Sequence, residues 1–351
     1  MKIGFVCHDA FPIAQPFQGG LEMITYLLVE ELVCRGHEVV SLCLEGSELA
    51  GEMIFYTKNE LPHDFDSQEL NSLKCISYSL NNFLLQDFDV VQNHSLHYQS
   101  ILMGNISAHN FITTFHTPVF PYLKLAIEAV SANINQTFVG VSKCTANLYQ
   151  KTLPLVHTVY NGIDVNQWNY NYNSTENYYS WSGRICKEKG LAQLMELCLL
   201  ENINLKFAGP ISEPSYFKEK VEPNLKYDNF EYVGHLKQPQ LNDLIGKSKA
   251  FMFSSVWDEP YGLVIAEALA SGVPVLANNV GAAPEILNAD TGCLFNLQKP
   301  ETFRKCIETI QHISRKDCRM RAEIFCCHKR MVDDYEKLYK RNSESFLVKA
   351  I

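Results

Sequence analysis

The stretch FSSVWDEPYGLVIAEALASGVPVL, residues 253–276, contains a strand, a loop, a helix and the start of another strand. Its first residues are an apolar run of strand length, WDEPYG provides turn residues, and a helix is predicted to begin near Gly262. Two glutamates, Glu259 and Glu267, flank the apolar residues. In a continuous helix they would lie about 12 Å apart, whereas carboxylates that act on one glycosidic bond are roughly 5–9.5 Å apart. We therefore interpret them as contacts for two ends of one long ligand.

The alternation of strand and helix continues on both sides of this stretch. Predicted helices cover residues 21–35, 191–201 and 238–248, between apolar runs of strand length. The predicted strands are KIGFVCH (2–8), HEVVSLCL (37–44), DVVQNHS (89–95), NFITTFH (110–116), QTFVGVS (136–142), YYSWSGR (178–184), INLKFAG (203–209), FEYVGHL (230–236), KAFMFSSV (249–256) and VPVLANN (273–279). Such alternation predicts the α/β class, with doubly wound parallel sheets whose ligands bind outside the carboxyl ends of the strands.

The chain is long enough for two domains of ordinary size, since it has 351 residues. The segment NQWNYNYNSTENYY, residues 166–179, is polar and poor in aliphatic residues, and we interpret it as a linker. We therefore predict one Rossmann-like domain at 1–165 and a second at 180–330, which face each other across a cleft.

Composition restricts the class of protein. Hydrophobic residues make up 46% and charged residues 20%, which is typical of a globular chain. The start, MKIGFVCHDAF, is predicted to be a strand rather than a signal peptide, and no stretch approaches the roughly 18 apolar residues of a membrane span. The twelve cysteines contain no C-x-x-C pair, so we expect reduced, buried thiols and a cytoplasmic protein.

The negative charge is concentrated in the first half of the chain. The net charge is −9; residues 1–165 hold 7 basic and 16 acidic residues, and the remainder holds 23 of each. An acidic first half disfavours nucleic acid and anionic lipid as partners. It favours a soluble, neutral or cationic small-molecule partner over a phospholipid, although a lipid-linked or polysaccharide partner stays open.

Two motifs combine glycine or basic residues with a strand end. In FQGGLE, Gly19 and Gly20 precede a helix, so the backbone can approach a ligand closely and the helix terminus favours an anion; an ordinary turn is the competing interpretation. In SGRICKEKG, Arg184 and Lys189 follow the carboxyl end of a predicted strand, and their charges suit the oxygens of a diphosphate. Solvated surface charge, with Gly190 as a turn, is the competing interpretation.

The predicted helix near Gly262 provides a third set of groups that could bind a ligand. The N–H groups of Gly262, Leu263 and Val264 have no partner within the helix and carry its partial positive charge. Glu259 precedes them in the loop, and Glu267 lies about two turns along an otherwise apolar helix. A carboxylate in such a position needs hydrogen-bond donors, which a pair of ribose hydroxyls would supply.

A histidine and two acidic segments complete the candidates. His116, in TTFHTP, ends a predicted strand and could be catalytic or merely structural. The tripeptide DFD occurs at 64–66 and 87–89, but Asp89 is at the amino end of a strand, and Asp64 and Asp66 are typical of a helix start. We therefore predict no metal site.

Together these motifs resemble the family 4 glycosyltransferases of the GT-B fold. The resemblance rests on DEPYGLVIAEALASGVPV (258–275), SGRICKEKG, FQGGLE, FHTP and VYNGID (159–164), and Glu259 and Glu267 match the family's E-x7-E spacing. The segment RMVDDYEKLYKR (330–341) resembles the family's last helix, which returns to the first domain; we assign residues 331–351 there.

The resemblance implies an activity and residue roles. It implies transfer of a hexose-type sugar from a nucleotide diphosphate sugar, by default a UDP-sugar, to an acceptor hydroxyl, with retained anomeric configuration and no metal or other cofactor. It assigns leaving-group stabilisation to Arg184 and Lys189, donor-sugar contacts to Glu259 and His116, and ribose contacts to Glu267. It places the backbone around Gly209, Pro210 and Leu236 against the base. The remaining donor-binding positions are Gly19, Gly20, Gly262, Leu263 and Val264. Other possibilities are a nucleotide-sugar epimerase of the same fold and a non-catalytic nucleotide-sugar-binding subunit.

Overall fold

The computed structural model describes residues 1–57 and 68–349 and divides the chain into two compact units. The first unit comprises Met1–Asn161 and His328–Ile351, and the second comprises Gly162–Cys327. Each unit is built on one parallel sheet, as the alternation of strands and helices predicted. Residues 166–179, predicted as a linker, lie inside the second unit, because Trp168 and Tyr178 are buried there.

The first unit contains a seven-stranded sheet with the order β3-β2-β1-β4-β5-β6-β7. Its strands are β1 (Lys2–Val6), β2 (Glu38–Cys43), β3 (Glu52–Phe55), β4 (Val90–Asn93), β5 (Phe111–Phe115), β6 (Thr137–Gly140) and β7 (His157–Thr158). Its helices are α1 (Gly20–Cys34), α2 (Gln68–Phe83), α3 (Tyr98–Ile106), α4 (Pro121–Val130), α5 (Lys143–Tyr149) and, from the end of the chain, α13 (His328–Lys349). Strands β4 and β5 are buried along their whole length. This explains why apolar and polar residues do not alternate along them.

The second unit contains a six-stranded sheet with the order β10-β9-β8-β11-β12-β13. Its strands are β8 (Tyr179–Ser182), β9 (Leu205–Ala208), β10 (Phe230–Tyr232), β11 (Phe251–Phe253), β12 (Val275–Asn278) and β13 (Gly292–Phe295). Its helices are α6 (Leu191–Leu200), α7 (Pro214–Tyr216), α8 (Gln238–Lys247), α9 (Leu263–Ala270), α10 (Ala283–Ile286), α11 (Pro300–Ile310) and α12 (Arg315–Arg321). The strand order repeats that of the first six strands of the first unit, so both sheets are doubly wound.

The last helix, α13, is held to the first unit by polar contacts as well as by packing. Arg35 Nη1 lies 2.6 Å from an Asp333 oxygen and 2.7 Å from a Glu336 oxygen. The hydroxyls of Tyr335 and Tyr339 are hydrogen-bonded to side chains of the sheet. These contacts link residues 221 to 301 positions apart in the chain.

One pair of cysteines is oxidised. Cys293 on β13 and Cys306 on α11 form a disulfide with a Cα–Cα distance of 5.4 Å. The prediction that all twelve cysteines are thiols is therefore wrong for this pair, whereas the other ten are thiols. The sequence did not indicate the bond because packing of a helix against the edge strand, not local spacing, brings the two sulfurs together. In the described part of the chain no helix is long and apolar enough to span a bilayer.

Candidate active site

The candidate residues of the second unit lie where its strand order reverses. Strands β8 and β11 are neighbours, and the chain winds away from them in opposite directions. Loops that follow such a pair of strands diverge and leave a crevice at their carboxyl ends, where ligands of doubly wound sheets bind. The loop after β8 carries Arg184 and Lys189, and the loop after β11 carries Glu259.

Lys189 and Glu259 form a close ion pair in this crevice. Lys189 Nζ lies 2.5 Å from Glu259 Oε2, and each side chain is only 16% exposed. The indole N–H of Trp257 donates to the same oxygen at 2.8 Å, and the Ser255 hydroxyl lies 3.4 Å away. Among the described residues, none donates to Oε1 of Glu259. The pair is thus fixed in place while one carboxylate oxygen stays available to a ligand.

Hydrogen bonds fasten the two loops to each other behind this pair. The Ser254 hydroxyl donates to the Lys189 carbonyl at 2.7 Å and accepts from the Trp181 indole at 2.9 Å. Gly190 has a φ of +65°, and a Cβ there would overlap the carbonyl oxygen of Ser254. The approach of the loops therefore requires glycine at this position.

Helix α9 begins beside Glu259, as the sequence predicted. Gly262 precedes the helix in the left-handed conformation, with φ +85°, and Leu263 and Val264 start it. The first N–H groups of a helix have no acceptor within it and carry partial positive charge. An anion or a hydroxyl could bind them next to the ion pair.

Glu267 lies in the second turn of α9 and differs chemically from Glu259. Burial raises the pKa of its carboxyl to about 7. Its side chain makes no hydrogen bond or ion pair with any residue that the structure describes, whereas its carbonyl accepts from Ser271. The carboxyl therefore needs donors from elsewhere to be stable when ionised.

Arg184 lies apart from the ion pair. Its side chain is 55% exposed and lies 3.7 Å from a Glu188 oxygen, a contact that solvent weakens. The structure thus places Lys189 against Glu259 but leaves Arg184 at the rim of the same loop.

The three positions predicted to contact a base lie after β9 and β10. Gly209 has a φ of +142°, and a Cβ there would overlap the carbonyl oxygen of Gly183, so the loops after β8 and β9 touch. The Pro210 carbonyl accepts from Ile185 N at 2.8 Å. Leu236 packs with the buried cluster around Tyr178 and lines a groove of about 470 Å³.

In the first unit, four polar residues meet at the corresponding reversal between β1 and β4. His8 follows β1, and its Nε2 lies 3.1 Å from Oε1 of Glu22 on α1, with both side chains almost fully buried. His94 follows β4, and its Nδ1 lies 3.0 Å from the Thr25 hydroxyl. The ring of His116, which follows β5, lies 4.4 Å from that of His94. Gly19 and Gly20 begin α1 directly before Glu22.

Burial favours the neutral form of two of these histidines, His94 and His116. It lowers the pKa of His116 to about 3, with a further contribution from His8, and it lowers the pKa of His94 well below the usual value. Burial alone would raise the pKa of Glu22, but the His8 ring 3.1 Å away brings that pKa below the usual value. The Nε2 atoms of His94 and His116 are buried and have no hydrogen-bond partner among residues 1–57 and 68–349. A ligand could satisfy them.

The sequence interpretation selected His116 but missed His8, Glu22 and His94. The signal was present, because His8 and His94 end predicted strands just as His116 does. Glu22 lies two positions after Gly20, where an acidic residue is typical of the first turn of a helix. Nothing local predicts that it faces a histidine 14 positions earlier.

The acidic segments give no metal site among the described residues. The Lys2 amide donates to Asp89 at 2.7 Å, which places Asp89 at the amino end of the sheet, as predicted. Asp64 and Asp66 lie outside the described residues. Within residues 1–57 and 68–349, no three histidine, cysteine or acidic side chains are grouped as metal ligands would be.

Solved structures with the same fold define the class of protein. Sucrose-phosphate synthase from Thermosynechococcus elongatus superposes with a TM-score of 0.76 at 15% identity, over 97% of this chain and 98% of that one. The Anabaena protein HepE, solved in complex with UDP-glucose, superposes with a TM-score of 0.73 at 16% identity, over 97% and 100%. The fold is therefore that of the GT-B glycosyltransferases, and the predicted fold class is confirmed.

Sequence comparison identifies the family within this class. Residues 18–167 match the model described as Glycosyltransferase Family 4, and residues 163–324 match Glycosyl transferases group 1. Together the two matches cover residues 18–324 and show that the chain is a family 4-type glycosyltransferase. A curated relative, an uncharacterized 41.2 kDa protein in the cps region of Klebsiella pneumoniae, is 30% identical over 165 residues. That alignment covers 45% of this chain and 44% of the relative.

Proposed function

We propose that this glycosyltransferase moves a hexose-type sugar from a nucleotide diphosphate sugar to a hydroxyl of its acceptor, with retained anomeric configuration and without a metal ion. A UDP-sugar is the default donor, and HepE, a protein of the same fold, was solved with UDP-glucose. The observation that carries the proposal is the Lys189–Glu259 pair at the carboxyl ends of β8 and β11, beside the start of α9.

Departure of the diphosphate is the step in which negative charge develops. Lys189 and the N–H groups at Gly262, Leu263 and Val264 would stabilise that charge from fixed positions, and Arg184 would add to them from the rim. Preorganised charge of this kind is often the largest contribution to catalysis. It also replaces the neutralisation that a divalent ion would otherwise provide.

The two glutamates would hold opposite ends of the donor. Glu259 Oε1 would accept from hydroxyls of the transferred sugar, because its other oxygen is already bound to Lys189 and Trp257. Glu267 would accept from the two ribose hydroxyls, which supply the donors that its carboxyl lacks.

Other predicted positions would contact the rest of the donor. Gly209, Pro210 and Leu236 would contact the base. In the first unit, the backbone at Gly19 and Gly20 would approach the phosphates, and His116 would offer its unpartnered Nε2 to a sugar hydroxyl.

A thermal-shift panel of UDP, GDP, ADP and dTDP, each with magnesium and with EDTA, tests the donor class. A ligand at 100 times its dissociation constant stabilises the folded state by about 2.7 kcal/mol, so a true donor site should give a clear shift. We expect one nucleotide to stabilise the protein equally in EDTA. No shift with any nucleotide would contradict the proposal, and a shift that needs magnesium would contradict metal independence. Product formation with an acceptor would exclude an epimerase and a non-catalytic subunit.

A further inference from the structure

A row of stacked rings lies at the carboxyl edge of the first unit's sheet. The rings of His97 and Tyr98 are 4.8 Å apart and inclined by 28°, and those of Tyr98 and Tyr122 are 6.0 Å apart and inclined by 21°. Tyr98 is the first residue of α3, after β4, and Tyr122 is the second residue of α4, after β5. Because β4 and β5 are neighbours, both tyrosines lie at the edge where ligands of a parallel sheet bind.

The outer ring of this row is open to solvent. Tyr98 is half-buried and packs against the core around Leu123, whereas Tyr122 is 56% exposed and Leu125, one turn further along α4, is 59% exposed. Neighbouring exposed apolar side chains of this size mark binding surfaces more often than scattered ones do. The ring face of Tyr122 is therefore available to a ligand.

Polar atoms in the same two connections have no partner. Gln99 Oε1, in the first turn of α3, and Thr117 Oγ1, after β5, are buried and make no hydrogen bond with any residue that the structure describes. Burial of such atoms is costly, and a bound molecule is one explanation for it. A ligand hydroxyl can be the partner of both atoms. It can donate a hydrogen bond to the Gln99 amide oxygen, and it can donate to or accept from the Thr117 hydroxyl.

The charges beside the rings favour a neutral ligand. The Tyr122 hydroxyl lies 3.4 Å from Glu69, and Lys124 on the same helix is 3.7 Å from Glu128. Nδ1 of His97 accepts from the Gln99 amide at 3.2 Å, so its proton is on Nε2, and burial lowers its pKa. A carboxylate or phosphate would meet the acidic Glu69 and Glu128, and the charge of Lys124 is already offset by Glu128.

We propose that Tyr98 and Tyr122 form a platform for the pyranose ring of a neutral carbohydrate acceptor; this rests on the proposed transferase function. The axial C–H hydrogens of a pyranose carry partial positive charge and can stack on the negative face of an aromatic ring. The ring hydroxyls then provide partners for Gln99 and Thr117. This specifies the class of acceptor, which the sequence left open.

Saturation-transfer NMR with three probes tests the platform: methyl β-D-glucopyranoside, sorbitol, and the methyl glycoside of glucuronic acid, each with UDP present. Sorbitol has the hydroxyls without the ring face, and the glucuronide adds a negative charge. We expect saturation on the ring C–H protons of the neutral glycoside, weaker binding of the other two, and a loss of about three- to tenfold in affinity in Tyr122→Ala. Tyr122→Phe should bind like the unaltered protein, and so should Leu200→Ala, which alters an exposed leucine on α6 of the second unit.

The outcomes separate this inference from the proposed function. Unchanged glycoside binding in Tyr122→Ala, absence of binding to the unaltered protein, or equal binding of sorbitol or glucuronide would overturn the platform. The UDP-induced thermal shift, measured on every variant, reports on the donor site independently. If that shift is present while the glycoside result fails, only the acceptor inference is wrong; if it is absent from the unaltered protein, the proposed donor site fails.

Discussion

Lys189 and Glu259 are 70 residues apart in the chain, and their charged groups lie 2.5 Å from each other at the point where the second sheet reverses its strand order. Each partner keeps the other in position and leaves capacity for a ligand. The lysine retains further N–H donors, and the glutamate retains Oε1. The pair is thus a fixed arrangement of charge into which a sugar diphosphate could bind.

Replacement of Lys189 by alanine should lower turnover of the donor by about 100-fold or more, because one preorganised group is lost from the leaving-group site. Steady-state release of the nucleotide from its sugar measures this effect, and circular dichroism checks that the fold persists. Lys187→Ala is the matched control, since Lys187 is an exposed lysine of the same loop. Near-normal turnover of the Lys189 variant would refute the phosphate role.

Replacement of Glu259 by alanine should cost a similar factor of about 100, and the two substitutions should not add. Once one partner is gone, the other has lost the contact that fixes it, so the double variant should be scarcely slower than either single one. A double-mutant cycle on turnover measures the coupling. Independent, multiplying effects would mean that the ion pair does not act as a unit.

Replacement of Glu267 should weaken nucleotide affinity with little change in turnover at saturation. With a pKa of about 7, the carboxyl is about half protonated at pH 7; donation by ribose hydroxyls would lower its pKa and release about half a proton. Calorimetry at pH 7 in buffers of different ionisation enthalpy measures that release. The nucleotide phosphate contributes its own protons. The proton release of the unaltered protein is therefore compared with that of Glu267→Gln, and the difference reports on the carboxyl of Glu267. Equal release in the variant would exclude the ribose contact.

The same residue affects stability with a defined sign. The pKa of Glu267 is about 7 in the folded protein and near 4.5 in the unfolded chain. The protonated carboxyl therefore contributes to the free energy of unfolding below pH 4.5, and this contribution is lost as the pH rises through about 7. Glu267→Gln should therefore gain stability relative to the unaltered protein above pH 7. Urea unfolding at pH 6 and pH 8 measures this gain, with the exposed Glu176→Gln as the control. A Glu267→Gln variant that gains no stability relative to the unaltered protein between pH 6 and pH 8 would contradict the prediction.

The histidine cluster should make the first unit acid-sensitive. The pKa of His116 is about 3 in the folded state and about 6.5 unfolded, so the unfolded chain binds more protons between these values. Stability should fall as pH decreases through this range, by up to about 1.4 kcal/mol per pH unit for each such histidine. His116→Gln should reduce the slope, while the exposed His312→Gln should not. Identical slopes in all three proteins would show that His116 is protonated in the folded state.

Alanine at Gly190 should destabilise the second unit more than alanine at Gly234. Both glycines have positive φ, so each substitution carries the strain of a left-handed L-residue, about 1–2 kcal/mol. Only the Cβ at position 190 would also overlap a backbone carbonyl, that of Ser254, whereas at Gly234 nothing lies within 4 Å. Thermal unfolding compares the two. Equal losses would mean that the loops after β8 and β11 can separate at little cost.

Most of the architecture could be predicted from the sequence because it depends on local patterns. Apolar runs of strand length alternate with helical periodicity, and the strands from KIGFVCH to VPVLANN are all present in the structure. The edge strands β3, β7 and β13 were not predicted, since most of their residues are only partly buried and their apolar pattern is weak. The position of each motif after a strand and before a helix was likewise readable, so the sequence determined which residues reach a ligand-binding edge.

Contacts between distant segments were decided only by the tertiary structure. Side-chain periodicity specifies the buried face of a strand or helix but not the element that covers it. The sequence therefore could not pair Lys189 with Glu259, oxidise Cys293 with Cys306, or bring His8 and His94 to Glu22 and His116. It could not show that the ring of Tyr122 stacks on Tyr98. It also could not distinguish Glu267 from Glu259, because the pKa of a carboxyl depends on the burial and the donors that the folded chain provides around it.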